Sequence, residues 1–359
     1  MRVAVLYNSY YIGNGREFFL LKYWENKSAK VDIISCPFEI GLLKKIFVAT
    51  LQTISFLPSA RRYDVVLSIG FLNGVLFSTF HTIFMMGKPL HIVFDPWVAG
   101  YGGKFLALSQ HKRYTSLFRS LFSLLFSNVN GIICTSERNY QWWKDELGFG
   151  EKVSQVRWGL ELHTPIPEQS EQGNYVFSAG RTGRDFSTLI SAAEGIRVEF
   201  VIVAGKDMLT KKTGLEGINI PQNVRVSIGI PYSQYVDLLL KSKIVVVPLQ
   251  YTTAIIGATA IIEAMSIGKP VIATKLPALL DYIEDGKTGL FVEPANVQDL
   301  REKILFLLEH PEEAQRIGNN ARTESERFTG KVMSQNIGRI IENVYLQYEQ
   351  TRERLPALC

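Results

Sequence analysis

Thr259 and Glu263 stand four residues apart in Gly257-Ala-Thr-Ala-Ile-Ile-Glu263, a spacing that stacks both side chains on one face of a helix. The apolar run Ile244–Pro248 before them reads as a buried strand, Leu249–Gly257 as a loop, and a helix is predicted to start near Ala258-Thr259. The free N–H groups of a helix's first turn receive phosphate. Glu263, one turn further, has the right type and position to accept hydrogen bonds from ribose hydroxyls. Taken alone it is also compatible with a solvated helix position, but Ala260, Ile261, Ile262, Ala264 and Met265 give it apolar neighbours. A second stretch, Ser178-Ala-Gly180-Arg181-Thr-Gly183-Arg184-Asp185, follows another apolar run and puts two guanidinium groups in a glycine-rich loop. Such cations either face solvent or meet an anion. In the first half, Gly13 and Gly15 of Tyr7-Asn-Ser-Tyr-Tyr-Ile-Gly13-Asn-Gly15-Arg16 would let backbone approach a diphosphate. Two nucleotide signatures fail on single residues. Phe18 occupies the third glycine position of a dinucleotide fingerprint, and Asp281 stands where the P-loop ending in Gly286-Lys287-Thr288 needs its first glycine.

These groups need strand ends to hold them. Short β-rich runs alternate with longer helical patterns, which predicts βαβ units and parallel sheets. Strands are predicted at Val3–Leu6, Val31–Ile34, Val65–Ile69, His91–Phe94 and Gly131–Cys134. A second series is predicted at Tyr175–Ser178, Val198–Val203, Val224–Ile228, Ile244–Pro248, Pro270–Ala273 and Gly289–Val292, with a helix ending at Asp285-Gly286 before the last. The fold class is α/β, with two doubly wound domains of Rossmann type and a polar, proline-bearing linker at His163–Gly173. In doubly wound sheets ligands bind beyond the carboxyl ends of the strands, where Gly180–Asp185 and Leu249–Glu263 fall.

Bulk properties narrow the classes. The 359 residues suffice for two cores, and 47% hydrophobic with 20% charged residues is a globular composition. Cys36, Cys134 and Cys359 lack C-x-x-C spacing, so neither a disulfide framework nor a zinc site is expected and a cytoplasmic setting is. The opening Met-Arg-Val-Ala-Val-Leu-Tyr reads as a core strand rather than a signal peptide. Residues 1–165 carry 18 Lys/Arg against 11 Asp/Glu, and the remainder 21 against 23. The basic half suits an anionic lipid or acceptor, or it is an ordinary surface; no recognition motif accompanies it, so nucleic acid is not expected. Gly41–Leu57 and His111–Phe126 are apolar helical patterns with Lys44, Lys45, Lys112 and Arg113 among them and Arg61 and Arg62 just beyond the first. They either pack on a sheet or lie at an anionic membrane surface, on its inner face.

Gly-Ala-Thr-Ala-Ile-Ile-Glu263-Ala-Met-Ser-Ile-Gly-Lys-Pro-Val-Ile-Ala, together with Asp285-Gly-Lys-Thr-Gly-Leu-Phe-Val, resembles the donor-site signature of retaining GT-B glycosyltransferases of family four, over most of residues 174–310. The resemblance implies a GT-B fold with the donor in the inter-domain cleft, and transfer of a sugar, with retention, from a UDP- or GDP-type donor. The acceptor would be a lipid-linked glycan, a glycan or a small molecule. It implies no cofactor and no metal, and no D-x-D sequence occurs. It also implies that the C-terminus crosses back, giving domains at 1–165 with about 340–359 and at 170–339. Arg181 matches the family's arginine and Arg184 stands near its lysine, both against the diphosphate, with Gly180 in the same loop. Gly257, Ala258, Thr259 and Glu263 form the donor helix, and main chain near Ile230 approaches the base. Asp95 falls where many relatives carry a catalytic His; it orients sugar or acceptor, or it is a turn former before Pro96. His91 is expected to point into sheet packing, and Trp97, Tyr101 and Gly100–Gly103 to line the acceptor side. One departure stands out: Ile255 replaces the first of the family's two glutamates. That leaves two rivals, another GT-B enzyme such as a nucleotide-sugar epimerase and a non-catalytic sugar-nucleotide binder.

Overall fold

Stretches such as Val65–Ile69, Phe200–Ala204 and Ile244–Val247 are apolar almost throughout rather than alternating, a pattern that requires cover on both faces of a sheet. The computed structural model describes residues 1–9, 19–24, 26, 28–37, 42–84, 86–96, 112–160, 173–206, 212–252 and 255–354. It divides into two units, Met1–Arg157 with Gly330–Cys359, and Trp158–Thr329.

The first unit holds β1 (Arg2–Ser9), β2 (Lys30–Pro37), β3 (Val65–Ile69), β4 (Leu90–Phe94), β5 (Val129–Cys134) and β6 (Val153–Gln155). All pair in parallel, in the order β2-β1-β3-β4-β5-β6. The three crossovers from β2 to β5 all advance the same way along the sheet, so right-handed connections put their helices on one face. Those helices are Leu42–Ala60, Gly70–Ile83 and Lys112–Leu125, each packed on the next. The last helix, Gly330–Arg354, belongs to this unit too. Its Gly338 lies so close to Trp24 that a Cβ would sit 2.2 Å from the ring. Glu342 accepts from Trp24 Nε1 at 2.9 Å and from Asn26 Nδ2 at 2.8 Å, which fastens the returning chain. The return starts at Gly330, earlier than the residue near 340 read from the sequence.

The second unit holds β7 (Tyr175–Gly180), β8 (Glu199–Ala204), β9 (Val224–Ile228), β10 (Ile244–Val247), β11 (Val271–Thr274) and β12 (Leu290–Val292). The parallel order is β12-β11-β10-β7-β8-β9. The chain runs outward from β7 to β9 and then returns to place β10 on the other side of β7. This reversal opens a crevice beyond the carboxyl ends of β7 and β10, the binding place of such sheets. Helices Phe186–Ala193, Tyr232–Lys241, Ala258–Ser266, Val297–Glu309 and Pro311–Ser325 cover both faces.

Two expectations fail. β6 was not expected: Val-Ser-Gln is too short to carry a periodic signal. The helix expected to end at Asp285-Gly286 is absent; a 3₁₀ turn, Pro277–Leu279, stands there instead. Tyr282 is drawn into the core against Phe328, and the Asp285 carboxylate accepts from Phe291 N at 2.8 Å, so side chains rather than a helical ladder hold the segment. Nearly all of the proposed linker, residues 163–172, lies outside the described residues.

Candidate active site

At the crevice of the second unit, the loop after β7 and the loop after β10 are tied together by backbone. Asp185 N donates to Pro248 O at 3.0 Å, Gln250 N donates to Gly183 O at 2.9 Å, and Arg184 bridges Leu249 in antiparallel fashion. Asp185 then caps helix Phe186–Ala193, its carboxylate accepting from Thr188 N at 3.2 Å.

These ties fold Arg184 back over the end of β7. Gly180 makes room for it: a Cβ there would lie 2.1 Å from the Arg184 Nε, and its φ of +145° disfavours any other residue. Arg184 Nε donates to Ala179 O at 2.8 Å and Nη1 to Thr182 O at 3.3 Å. Both acceptors are neutral. The side chain is only 9% exposed, and among the described residues no carboxylate pairs with it. Burial without a counter-charge pulls its pKa down to about 10, so it stays a cation at neutral pH. A buried guanidinium satisfied by two carbonyls still has N–H donors to spend.

Facing it across the crevice, helix Ala258–Ser266 begins at Gly257, whose φ is +85°. Among the described residues no side chain caps this end. A Cβ on Gly257 would meet Leu249 at 2.8 Å, so glycine sets both the turn and the fit. The first-turn amides therefore lack a side-chain acceptor, the arrangement that attracts an anion. Ala258 is buried and Thr259 is exposed.

Glu263 is buried, at 5% exposure, rather than solvated. Tyr232 OH donates to Oε1 at 3.1 Å and Tyr235 OH to Oε2 at 2.5 Å, and the two rings stack with centroids 5.6 Å apart. Both tyrosines come from helix Tyr232–Lys241, which follows β9. The Tyr235 phenol is held well above its usual pKa, first by burial and then by the Glu263 charge, while Arg184 acts in the opposite sense. One hydroxyl thus bonds the acid and feels the charge of the cation. Sequence reasoning missed these tyrosines, although Pro231-Tyr-Ser-Gln-Tyr235 opening a helix at a strand's carboxyl end was a usable signal. Ile230, Ile255 and Ile256 are partly buried and pack on the same apolar cluster, so position 255 fills space and presents no charge.

The other sequence candidates are placed differently. Arg181 is exposed and lies over Gly205 at the end of β8, where a Cβ would come within 2.1 Å of its Cγ. Asp95 follows β4 with a φ of +47°. Its N–H donates to Ile133 O at 2.7 Å, and its carboxylate accepts from the Thr135 hydroxyl at 2.8 Å and from the Thr135 amide and Asn139 side chain. Burial raises its pKa, with those hydrogen bonds opposing. His91 is fully buried, with Nε2 2.9 Å from Ser68 Oγ and its ring edge-on to Phe77, and burial pushes its pKa down to about 3. It is a neutral packing residue. Gly13, Gly15, Trp97, Tyr101 and Gly100–Gly103 lie outside the described residues.

Comparison with known proteins relates this crevice to a family. Residues 163–324 match the sequence profile of the glycosyl transferases group 1. The chain carries a glycosyl transferases group 1 domain. Curated relatives include an uncharacterized glycosyltransferase of Methanocaldococcus jannaschii, 26% identical over 156 residues, or 44% of each chain. Another is the D-rhamnosyltransferase WbpZ of Pseudomonas aeruginosa, 26% identical over 218 residues, or 57% of each chain. The matches span about half the length of these relatives. Among solved structures, sucrose-phosphate synthase from Thermosynechococcus elongatus superposes with a TM-score of 0.66 at 15% identity, covering 100% of both chains. HepE from Anabaena, in complex with UDP and glucose, gives 0.67 at 16% identity over 96% of this chain and 100% of its own. The fold is GT-B, an α/β architecture with two parallel six-stranded sheets, and the domain holding Arg184 and Glu263 is the group 1 domain.

Proposed function

We propose that the group 1 domain binds a nucleoside-diphosphate sugar, of UDP or GDP type, and that the chain transfers its sugar to an acceptor hydroxyl with retention of configuration. The observation that carries this reading is Arg184: a buried cation whose partners among the described residues are neutral, at the reversal point of a doubly wound sheet. Taking such a charge out of water costs several kcal/mol unless something repays it. A bound diphosphate does so through charge-assisted hydrogen bonds.

In this reading Arg184 and the first-turn amides of Gly257, Ala258 and Thr259 grip the diphosphate, and Glu263 accepts from the ribose hydroxyls. Arg181 adds charge at the β8 end, and the backbone at Ile230 borders the base. As the glycosidic bond breaks, negative charge grows on the leaving diphosphate, and pre-placed donors stabilise it without reorganising. Asp95, bonded by Thr135 and Asn139, keeps the two roles read from the sequence, orienting sugar or acceptor or holding the turn before Pro96. The solved relative that holds UDP and glucose supports a donor of this class. The acceptor class is a lipid-linked glycan, a glycan or a small molecule.

A second reading has one observation in its favour. Ile255 packs into the apolar cluster where the family places an acid, which suits a domain that binds a sugar nucleotide without transferring it. Incubating the protein with UDP- and GDP-sugars, with and without candidate acceptors, separates the two. Acceptor-dependent release of UDP or GDP supports transfer. Donor binding without release in any combination supports the binding-only reading, and a donor isomerised without acceptor supports an epimerase.

A further inference from the structure

The helix layer on one face of the first unit carries an apolar surface that the site does not use. Helix Leu42–Ala60 buries Ala49, Thr53, Phe56 and Ala60 against its sheet and neighbouring helix. Its opposite face is apolar as well: Leu43 is 83% exposed, Phe47 63%, Leu51 48% and Ile54 47%. Their spacing of three and four residues lines them up as one stripe along the helix. The stripe is continued in kind on the same layer by Leu117 and Leu124 of helix Lys112–Leu125, both exposed. A soluble surface normally scatters such residues singly.

Charge identifies what covers them. Helices Leu42–Ala60, Gly70–Ile83 and Lys112–Leu125 contain no Asp or Glu. Lys44 and Lys45 stand at one end of the stripe, and Arg61 and Arg62 follow its other end; Lys44, Arg61 and Arg62 are exposed. Helix Gly330–Arg354, which belongs to none of the three crossovers, carries Glu342, Glu349 and Glu353. Apolar side chains bounded by cations and free of acids match a bilayer interface, where acyl chains take the stripe and anionic headgroups take the ends. Among the described residues no helix is long and apolar enough to cross a membrane, which leaves a helix lying in the surface plane.

We propose that this helix layer docks on an anionic lipid bilayer, with Leu43, Phe47, Leu51 and Ile54 inserted and Lys44, Lys45, Arg61 and Arg62 against the headgroups. Docking would bring the chain to a lipid-linked acceptor, one of the acceptor classes proposed above, but it stands or falls without that reading.

The test is cosedimentation of the full chain with vesicles of phosphatidylcholine alone and of phosphatidylcholine mixed with phosphatidylglycerol, at low and high salt. Binding should favour the anionic vesicles and weaken with salt. Lys44→Ser with Lys45→Ser should weaken it by roughly fivefold per lysine. Phe47→Ser with Leu51→Ser, on exposed positions, should weaken it by about tenfold or more while circular dichroism and the thermal melt stay unchanged. No cosedimentation, or equal binding to neutral vesicles, overturns the proposal. So does a lipid-free dimer that Phe47→Ser with Leu51→Ser turns into monomer, which would give the stripe to a second copy.

Discussion

Both units place polar side chains at the carboxyl ends of parallel strands, yet they treat those groups in opposite ways. In the first unit Asp95 is satisfied from within: Thr135 and Asn139, just past the end of β5, supply its hydrogen bonds. In the group 1 domain Arg184 is buried against neutral carbonyls, and the helix end opposite has no side-chain cap. A charge compensated by its own chain can hold a loop, whereas one left uncompensated in a crevice fits the proposal that a ligand completes it. Glu263 is intermediate, since two tyrosines hold it and Tyr235 also neighbours Arg184.

The sharpest way to break this contrast is to remove the uncompensated charge. Arg184→Ala should weaken UDP or GDP binding by roughly ten- to a hundredfold, the loss of hydrogen bonds between charged groups. Arg184→Met should weaken binding similarly and leave the melting temperature level or higher, because a buried unpaired cation is costly. A lower melting temperature with unchanged affinity would make Arg184 structural. Next comes Glu263→Gln, which keeps an acceptor for the tyrosines but loses the charge proposed to meet the ribose. Calorimetry should show about a tenfold loss for the nucleotide. Tyr235→Phe should cost about fivefold toward the nucleotide, one neutral hydrogen bond, and leave inorganic pyrophosphate binding unchanged; equal loss for both would tie the phenol to the diphosphate instead.

The smallest effect belongs to the compensated side. Asp95→Asn should leave nucleotide affinity unchanged. Its folded pKa is raised above the ordinary carboxylate value, so the folded chain binds the proton more readily and stability falls as pH rises through that window. The melting temperature of wild type relative to Asp95→Asn should therefore rise on acidification from neutral pH towards the ordinary carboxylate range. A fall would reverse the assigned direction.

Much of this organisation was legible because buried parallel strands write themselves as Val and Ile runs, as at β3, β8 and β10. The segment after β11 was not legible, since Tyr282 and Asp285 hold it by contacts that no periodicity reports. At the site, the glycines and Arg184 could be read from the loop after β7, but burial without a counter-charge exists only in three dimensions. Glu263 was read correctly as a residue among apolar neighbours, while its tyrosine partners came from a helix 28 and 31 residues away. Likewise, the sequence of residues 42–60 shows an apolar helix, but only packing tells which apolar face is spare.

The central claim is that Arg184 waits for a diphosphate. Its most direct test compares the affinity of a nucleoside diphosphate with that of its nucleoside, in wild type and in Arg184→Ala. The diphosphate should bind far more tightly to wild type, most of that advantage should vanish in the variant, and nucleoside affinity should hardly move. An advantage of the same size in both proteins would contradict it.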